Sequence, residues 1–541
     1  MRFKNTNIQK LIHDKHSSFL VCILFLALIL RMWGISFGLP GIDHGDESEV
    51  VNHAVRFGSG DLNPHRFQYG SLFQYILFLF YAAYFVIGYG LGIFPTVHQF
   101  AIHFVQDPTV FYMIARIISA VLGTATVGLV YLIGNRVLNK KSGLIAALFL
   151  SCCYEHVIHS HYATVDAALT FFFTLAIYRC LILFTENSMR SYRVAGFCIG
   201  LCFATKFNGF FAVTALLGAH FLQEDTASFK KKIFSKKLWS SLLFIFIGHA
   251  AACPFFYLEI PQVLQEIYQL KTMHASSGCT IMLYIRFIIN EFWGKPLGLI
   301  GLLGMLIASV GGRKMLMLFI TTLCILCFAS QHMFVEAKYI LCAFPMLAVF
   351  GAFLTKMSLD CIRKQNVYSY FIIIPLLLLH PLYLSINWDQ EHAQKSLNLV
   401  AKEWIEANIP VNARMLLDNT GNDGPKLANS PKNIKGQFQR AKEHGLMKSE
   451  YLKLKLEACT TIYYDIIQID SSAGSRDDDY LQYKLWEDLE QIGKPAAYYR
   501  KIGIEYVIIT DRYFNKTGED FLLIKKFEQG RKGIYIYKIT G

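Results

Sequence analysis

Four carboxylates crowd into the stretch GIDHGDESEV, residues 41 to 50: Asp43, Asp46, Glu47 and Glu49, with His44 among them. They come directly after the apolar run FLVCILFLALILRMWGISFG. A helix beginning near Asp46 carries Asp46, Glu49, Val50 and His53 on one face, by the three, four and seven spacing. Asp46 then stands at the helix N-terminus, where the dipole favours a carboxylate. A solvated cap at a membrane exit would also be acidic. Here, however, a second polar stretch, GDLNPHRFQYGSL, follows and is held against the membrane.

Further charged groups are expected on the same side. Asp166, in HSHYATVDAALTFF, opens an apolar run, and Lys206 stands between two apolar segments. A lysine at membrane depth is costly enough to suggest function, the alternative being a side chain that snorkels to the interface. Arg116 lies near the outer start of its span. His65, Arg66, His274 and the pair Lys338 and Tyr339, in VEAKYILCAFP, fall outside or at the outer boundary. Each has a structural explanation when taken singly: His274 suits an amphipathic loop and Lys338 an interfacial anchor. Together they set acids beside cations on one leaflet, which suits a phosphate-bearing substrate whose apolar tail stays in the bilayer. Cations would hold the phosphate as leaving group, and a carboxylate would take the proton of an attacking hydroxyl.

The elements that must position these groups are membrane helices. Of 541 residues, 54% are hydrophobic and 17% charged, and the mean hydropathy is +0.36, too apolar for a soluble globular chain of this length. Apolar runs near the ~20 residues of a membrane span recur from Phe19 to Tyr383 and then stop. The net charge of +13 is gathered in short loops, around Arg136 to Lys141, Arg190 and Arg193, Lys230 to Lys237, Arg313 with Lys314, and Lys356 to Lys364. That is the positive-inside pattern of a polytopic protein, not a nucleic-acid surface. Most of the 13 cysteines sit in apolar runs, where they behave as small hydrophobes, so no disulfide framework or zinc motif is expected.

With the basic loops inside, alternation sets loop 35 to 109 outside, followed by spans near 110 to 135, 143 to 160 and 163 to 184. The stretch between the basic clusters at 193 and 230 must go out and back as two short segments, turning at Thr205 to Gly209. Later spans run near 239 to 258, 296 to 311, 315 to 334, 338 to 356 and 369 to 387. Segment 71 to 90 is long enough to cross, but crossing would invert every later loop, so it reads as re-entrant or lying along the membrane. The expected fold is a polytopic α-helical membrane protein of about 11 to 12 membrane segments, residues 1 to 387. Residues 388 to 541 form an extracytoplasmic α/β domain, in which AQKSLNLVAKEWIEANIP reads as a helix and ARMLLD, EYVIITD and GIYIYKI read as strands.

The ordered series of motifs resembles the GT-C superfamily of membrane glycosyltransferases, in particular the dolichyl-phosphate-mannose protein mannosyltransferases and the bacterial aminoarabinose transferases. The carriers are Asp46 with Glu47, GDLNPHRFQYGSLFQYI, ARIISAVLGTATVGLVYLIGNRVL, HYATVDAALTFFFTLA, GLCFATKFNGFF and CPFFYLEIPQVLQEIYQLKTMHASSG, over about residues 18 to 350. The resemblance implies inverting transfer of a sugar from a polyprenyl-phosphate donor to an external acceptor hydroxyl. It gives Asp46 the essential acid role, supported by Glu47, makes Asp166 a second acidic position, and matches Lys206 to the family's TK element. Lys206, Arg116 or Arg66 would then face the donor phosphate. Two positions depart from the family pattern: Gly70 stands where a proline is common, and Lys338 with Tyr339 replaces an RY. Lysine is a point charge rather than a planar fork.

Some relatives bind a divalent metal near the first acid, and Asp46, Glu47 and His65 are the residues that would hold one here, without a tight ligand spacing. The acceptor classes are a protein hydroxyl, lipid A or another envelope glycan, and the expected location is a bacterial inner membrane with the site outside. A ligase or polymerase of lipid-linked glycan is a related alternative. A secondary transporter would show internal repeats and mid-membrane charges, and a receptor would leave the Asp46 cluster without a role.

Overall fold

The computed structural model describes residues 15–224, 228–274, 280–332, 334–362, 369–418, 424–446, 448–458, 461–469, 489–490, 495–510, 520–529 and 532–540. Asn515, Lys516 and Thr517, which match the three-residue glycosylation pattern, and Cys279 and Cys459, which fall in external segments by the alternation, lie outside them. The chain forms two compact units.

The first unit takes in the chain through Ile35, Val50–Phe80 and Ile114–Glu391. Its helices follow the apolar runs: Lys15–Met32, Thr109–Val137, Val165–Ile182, Lys236–Ala252, Lys295–Ala308, Arg313–Ala329, Phe344–Ile362 and Ser369–His392. Among the described residues, six helices are long and apolar enough to cross a membrane by length and composition. Others fall short; the 17-residue helix Lys236–Ala252 spans roughly 25 Å at 1.5 Å per residue. In lipid, apolar contact between helices gains little over contact with tails, so close backbone approach matters more. Helices Met189–Phe203 and Lys236–Ala252 show this: a Cβ on Gly196 would fall 2.2 Å from the Ser241 carbonyl oxygen, and one on Gly200 2.3 Å from that of Ile245.

Two features differ from the sequence expectation. The span expected over 143 to 160 is two helices, Lys140–Ser151 and Tyr154–His159, broken at Cys152 and Cys153. The freed carbonyls meet Arg31, which is fully buried and donates from Nη1 to Ser151 O (3.2 Å) and from Nη2 to Leu150 O (3.3 Å) and towards His156 Nδ1 (2.8 Å). A cation at helix C-terminal carbonyls satisfies both hydrogen bonding and dipole. A short helix, Ile281–Phe287, running into a π-helical turn, Ile288–Phe292, also had no sequence signal. The out-and-back pair appears as Met189–Phe203 and Val213–Phe221, joined through a 3-10 segment, Phe207–Ala212.

The second unit takes in Ser36–Glu49, Tyr81–Met113 and His392–Gly541. Its sheet has the order β3-β2-β1-β4-β6-β5, with β1 Arg414–Leu417, β2 Asp465–Ile469, β3 Leu489–Glu490, β4 Tyr506–Thr510, β5 Phe521–Gln529 and β6 Lys532–Ile539. The first four strands pair in parallel and the last two add antiparallel. Alternate residues feed opposite faces. Met415, Leu417, Ile508 and Ile536 pack with Ala401 and Ile405 of helix Leu397–Asn408, while Leu416, Val507 and Ile509 pack with Tyr499. Both faces are covered, which suits a largely parallel sheet.

Segment 71 to 90 is one uninterrupted helix, Leu72–Gly90, rather than a re-entrant turn. The chain that leaves it forms helix Val97–Gln106, which is fastened to the C-terminal sheet domain: His98 Nε2 lies 2.8 Å from Glu457 Oε2, and Gln106 Nε2 donates to Ala458 O at 3.1 Å. Helix Leu72–Gly90 is itself one of the six long and apolar enough to cross a membrane.

Candidate functional site

In the first unit the site grows from a break in a helix. Helix Met189–Phe203 ends at Ala204, and Lys206 adopts an extended conformation before the 3-10 turn. Gly209 N donates to Lys206 O (2.8 Å), and a Cβ on Gly209 would meet Cys202 O at 2.3 Å, so this turn closes only around glycine. The Lys206 side chain reaches Asp166, with Nζ 2.7 Å from Oδ1. Asp166 is the second residue of helix Val165–Ile182, where the helix dipole adds to the lysine in holding a carboxylate. The pair is nearly closed to solvent, with side-chain exposures of 13% and 4%. Two rings face the ammonium, Tyr69 at 5.5 Å and Tyr339 at 5.9 Å, within cation–π range. The Tyr339 ring in turn stacks on His332 at 4.4 Å, with 8° between planes.

Tyr69 is brought there by backbone pairing. Gly70 N donates to Thr205 O (3.2 Å) and Leu72 N to Ala204 O (3.1 Å). A Cβ on Gly70 would stand 2.0 Å from Ala204 O, which accounts for glycine at this position. The preceding loop is organised by acids. Asp61 accepts from Asn63 N (2.9 Å) and pairs with His65 Nε2 (2.7 Å), and Arg56 Nη1 lies 3.5 Å from it. The Asn63 amide and His65 together hold the Asp61 carboxyl below its ordinary value. Glu259 accepts from Asn63 Nδ2 (3.1 Å), Glu266 from Phe67 N (2.7 Å), and Gln262 Nε2 donates to His65 O (2.6 Å). The loop is thus laid along helix Ile260–His274.

The other sequence candidates fall around this core unevenly. Lys338 pairs with Glu336 at 2.8 Å, next to Tyr339. His65, 40% exposed, pairs with Asp61, and Arg66 Nη2 donates to Gln68 Oε1 (3.2 Å). Arg116 is fully buried and donates from Nη1 to Ile35 O at 2.8 Å, three residues past the end of helix Lys15–Met32. His274 ends its helix, and its side chain lies outside the described part. Among the described residues no three His, Cys, Asp or Glu side chains form a group that could hold a metal ion.

Asp46 and Glu47 belong to the second unit. They occupy the first turn of helix Gly45–Arg56, as the spacing predicts, with Glu47 fully buried and Asp46 part-exposed. The stretch before them is tightly folded. Gly38 and Ile42 have positive φ, 65° and 58°, and the Asp43 carboxylate covers Gly38, where a Cβ would lie 2.6 Å from Oδ2.

Several contributors carry no local signal. Tyr69 and His332 are ordinary aromatic residues of polar stretches. Glu266 lies on helix Ile260–His274 and Glu259 immediately before its start, seven residues earlier. The acceptors of Lys206 and Arg116 are distant in sequence.

Residues 111–251, which carry Arg116, Asp166 and Lys206, match the family described as dolichyl-phosphate-mannose-protein mannosyltransferase. No curated protein matches the chain. Among solved structures, ArnT from Cupriavidus metallidurans bound to undecaprenyl phosphate is similar over 96% of this chain and 98% of its own, with TM-score 0.53 and 11% identity. Its apo state gives the same figures. The oligosaccharyltransferase AglB from Archaeoglobus fulgidus, in complex with an inhibitory peptide and a dolichol-phosphate, covers 92% of this chain and 69% of its own, with TM-score 0.46 and 11% identity. The fold is the one shared with ArnT, and residues 111–251 are similar to the mannosyltransferase family.

Proposed function

We propose that the chain moves a sugar, with inversion, from a polyprenyl-phosphate donor to an acceptor hydroxyl at the extracytoplasmic membrane face. The observation that carries this is Lys206: a nearly buried ammonium, 2.7 Å from Asp166 and faced by Tyr69 and Tyr339. A cation so placed in a membrane protein suits a lipid phosphate. The description of the matching family and the ligand of the ArnT structure support the donor class. The basic loops support an external site by the positive-inside rule.

In the reaction the acceptor oxygen attacks the anomeric carbon while the bond from that carbon to the phosphate oxygen breaks. The electron pair of that bond stays on the phosphate, and the acceptor proton passes to the Asp46 carboxylate. Lys206 offsets the charge that grows on the leaving phosphate. Lys338 is a second cation for the same group, and Asp166 orients Lys206.

The test is transfer of radiolabelled sugar from a panel of polyprenyl-phosphate sugars into membrane acceptors, comparing wild type with Asp46→Asn at equal folded protein. Label moved by the wild type and lost in the variant is the expected result. Full transfer by Asp46→Asn would move the base elsewhere, with Asp166 next in line.

A further inference from the structure

The second unit joins the acidic loop of residues 36 to 49 to the C-terminal sheet domain, and it does so through three separate contacts. Asn398, the second residue of helix Leu397–Asn408, donates from Nδ2 to Asp43 Oδ1 at 3.1 Å, across 355 residues of sequence. The rings of Phe37 and His392 meet edge to face at 5.3 Å. The Lys426 side chain lies against Gly41, with Cγ 3.9 Å from where a Cβ would be. Between these contacts the backbone is held where chains rarely go: Ile42 is β-branched and has φ 58°. Such a conformation costs about 1–3 kcal/mol and persists only where the surroundings over-determine it.

From this seat we infer that the C-terminal domain is a positioning part of the transfer site, with Asn398 as its positioning residue. Asn398 fixes Asp43, three residues before Asp46, and Glu47 N already donates to His44 O at 3.3 Å as the acid helix begins. The direction of the Asp46 carboxylate is set by a loop that the distant domain holds. Displacing a reacting group by about 1 Å costs on the order of 100-fold in rate, so a single amide contact of this kind is felt in turnover. This inference rests on the assignment of Asp46 given above. It makes the domain necessary for the reaction with any acceptor, beyond a role in acceptor choice.

The test uses full-length protein and two readouts: kcat and KM for a polyprenyl-phosphate sugar, and hydrogen exchange of the amides in residues 38 to 47. Asn398→Asp sets two carboxylates against each other, while the swap of Asp43→Asn with Asn398→Asp restores a donor and an acceptor. Expected are a kcat lowered about tenfold or more at unchanged donor KM and faster loop exchange in Asn398→Asp, both recovering in the swap. Loop exchange that ignores Asn398→Asp, or rises without change in kcat, overturns the inference. If wild type transfers from no donor while loop exchange still follows the swap, the glycosyl-transfer reading fails and the seat of the loop stands.

Discussion

Lys206 Nζ sits 2.7 Å from Asp166 Oδ1 with both side chains nearly closed to solvent, so neither charge is independent of the other. Removing one partner of such a pair leaves a buried charge without compensation, which costs about 3–5 kcal/mol, whereas replacing both with apolar groups is often neutral. Asp166→Leu and Lys206→Met are each expected to lower the thermal midpoint in detergent, and the double variant to recover it while transfer stays lost. A double variant that transfers sugar would reduce the pair to a clamp.

Gly70 offers a steric test of the same corner. Gly70→Ala places a methyl 2.0 Å from Ala204 O, so the segment that carries Tyr69 must move from the Lys206 turn. A loss of about 1–3 kcal/mol is expected, as for overpacked sites, together with a raised donor KM. Gly70→Pro should be worse, since it also removes the donor to Thr205 O. An alanine variant with wild-type stability and KM would show that the approach is not needed.

Arg116 separates structure from binding. It is fully buried and closes on Ile35 O, so Arg116→Met should cost about 1.5–3 kcal/mol, the range for hydrogen bonds to charged groups, and leave the donor KM of the folded fraction unchanged. A raised KM at unchanged midpoint would instead support a role for Arg116 at the donor phosphate.

The loop around Asp61 carries a pH dependence whose sign is set by the depressed carboxyl, held down first by the Asn63 amide and then by His65. A group whose folded pKa lies below its unfolded value stabilises fully above the unfolded value and loses that contribution as pH falls through the folded one. Order in residues 61 to 67, followed by hydrogen exchange, should therefore hold from neutral pH down to about 4 and loosen only below it. Asp61→Asn should exchange faster already at neutral pH. An identical profile in the variant would remove Asp61 from the loop's support.

Much of the membrane part was legible because it depends on local hydropathy. A run of apolar side chains must cross or lie in lipid, and the turn at Lys206 follows from two basic clusters too close for any other path. The helix face of Asp46 follows from periodicity, and helix Leu397–Asn408 with strands β1, β4 and β6 from pattern. The break at Cys152 was not legible, because what permits it is Arg31, more than a hundred residues earlier. Strands β2, β3 and β5 were missed for a related reason: an edge or partner strand is defined by the neighbour it pairs with.

The sequence by itself determined the class of molecule, the acids and cations it has to work with, and the turns that carry Asp46 and Lys206. Tertiary structure alone decided which charge meets which. It gave Lys206 to Asp166, Arg116 to a backbone carbonyl, the loop at Asn63 to Glu259 and Glu266, and Asp43 to Asn398. Hydropathy and periodicity are properties of neighbours along the chain, whereas an ion pair or hydrogen bond reaches only a few ångströms in space. Which distant residues come that close is set by the packing of whole helices and sheets, and no single stretch of sequence contains it.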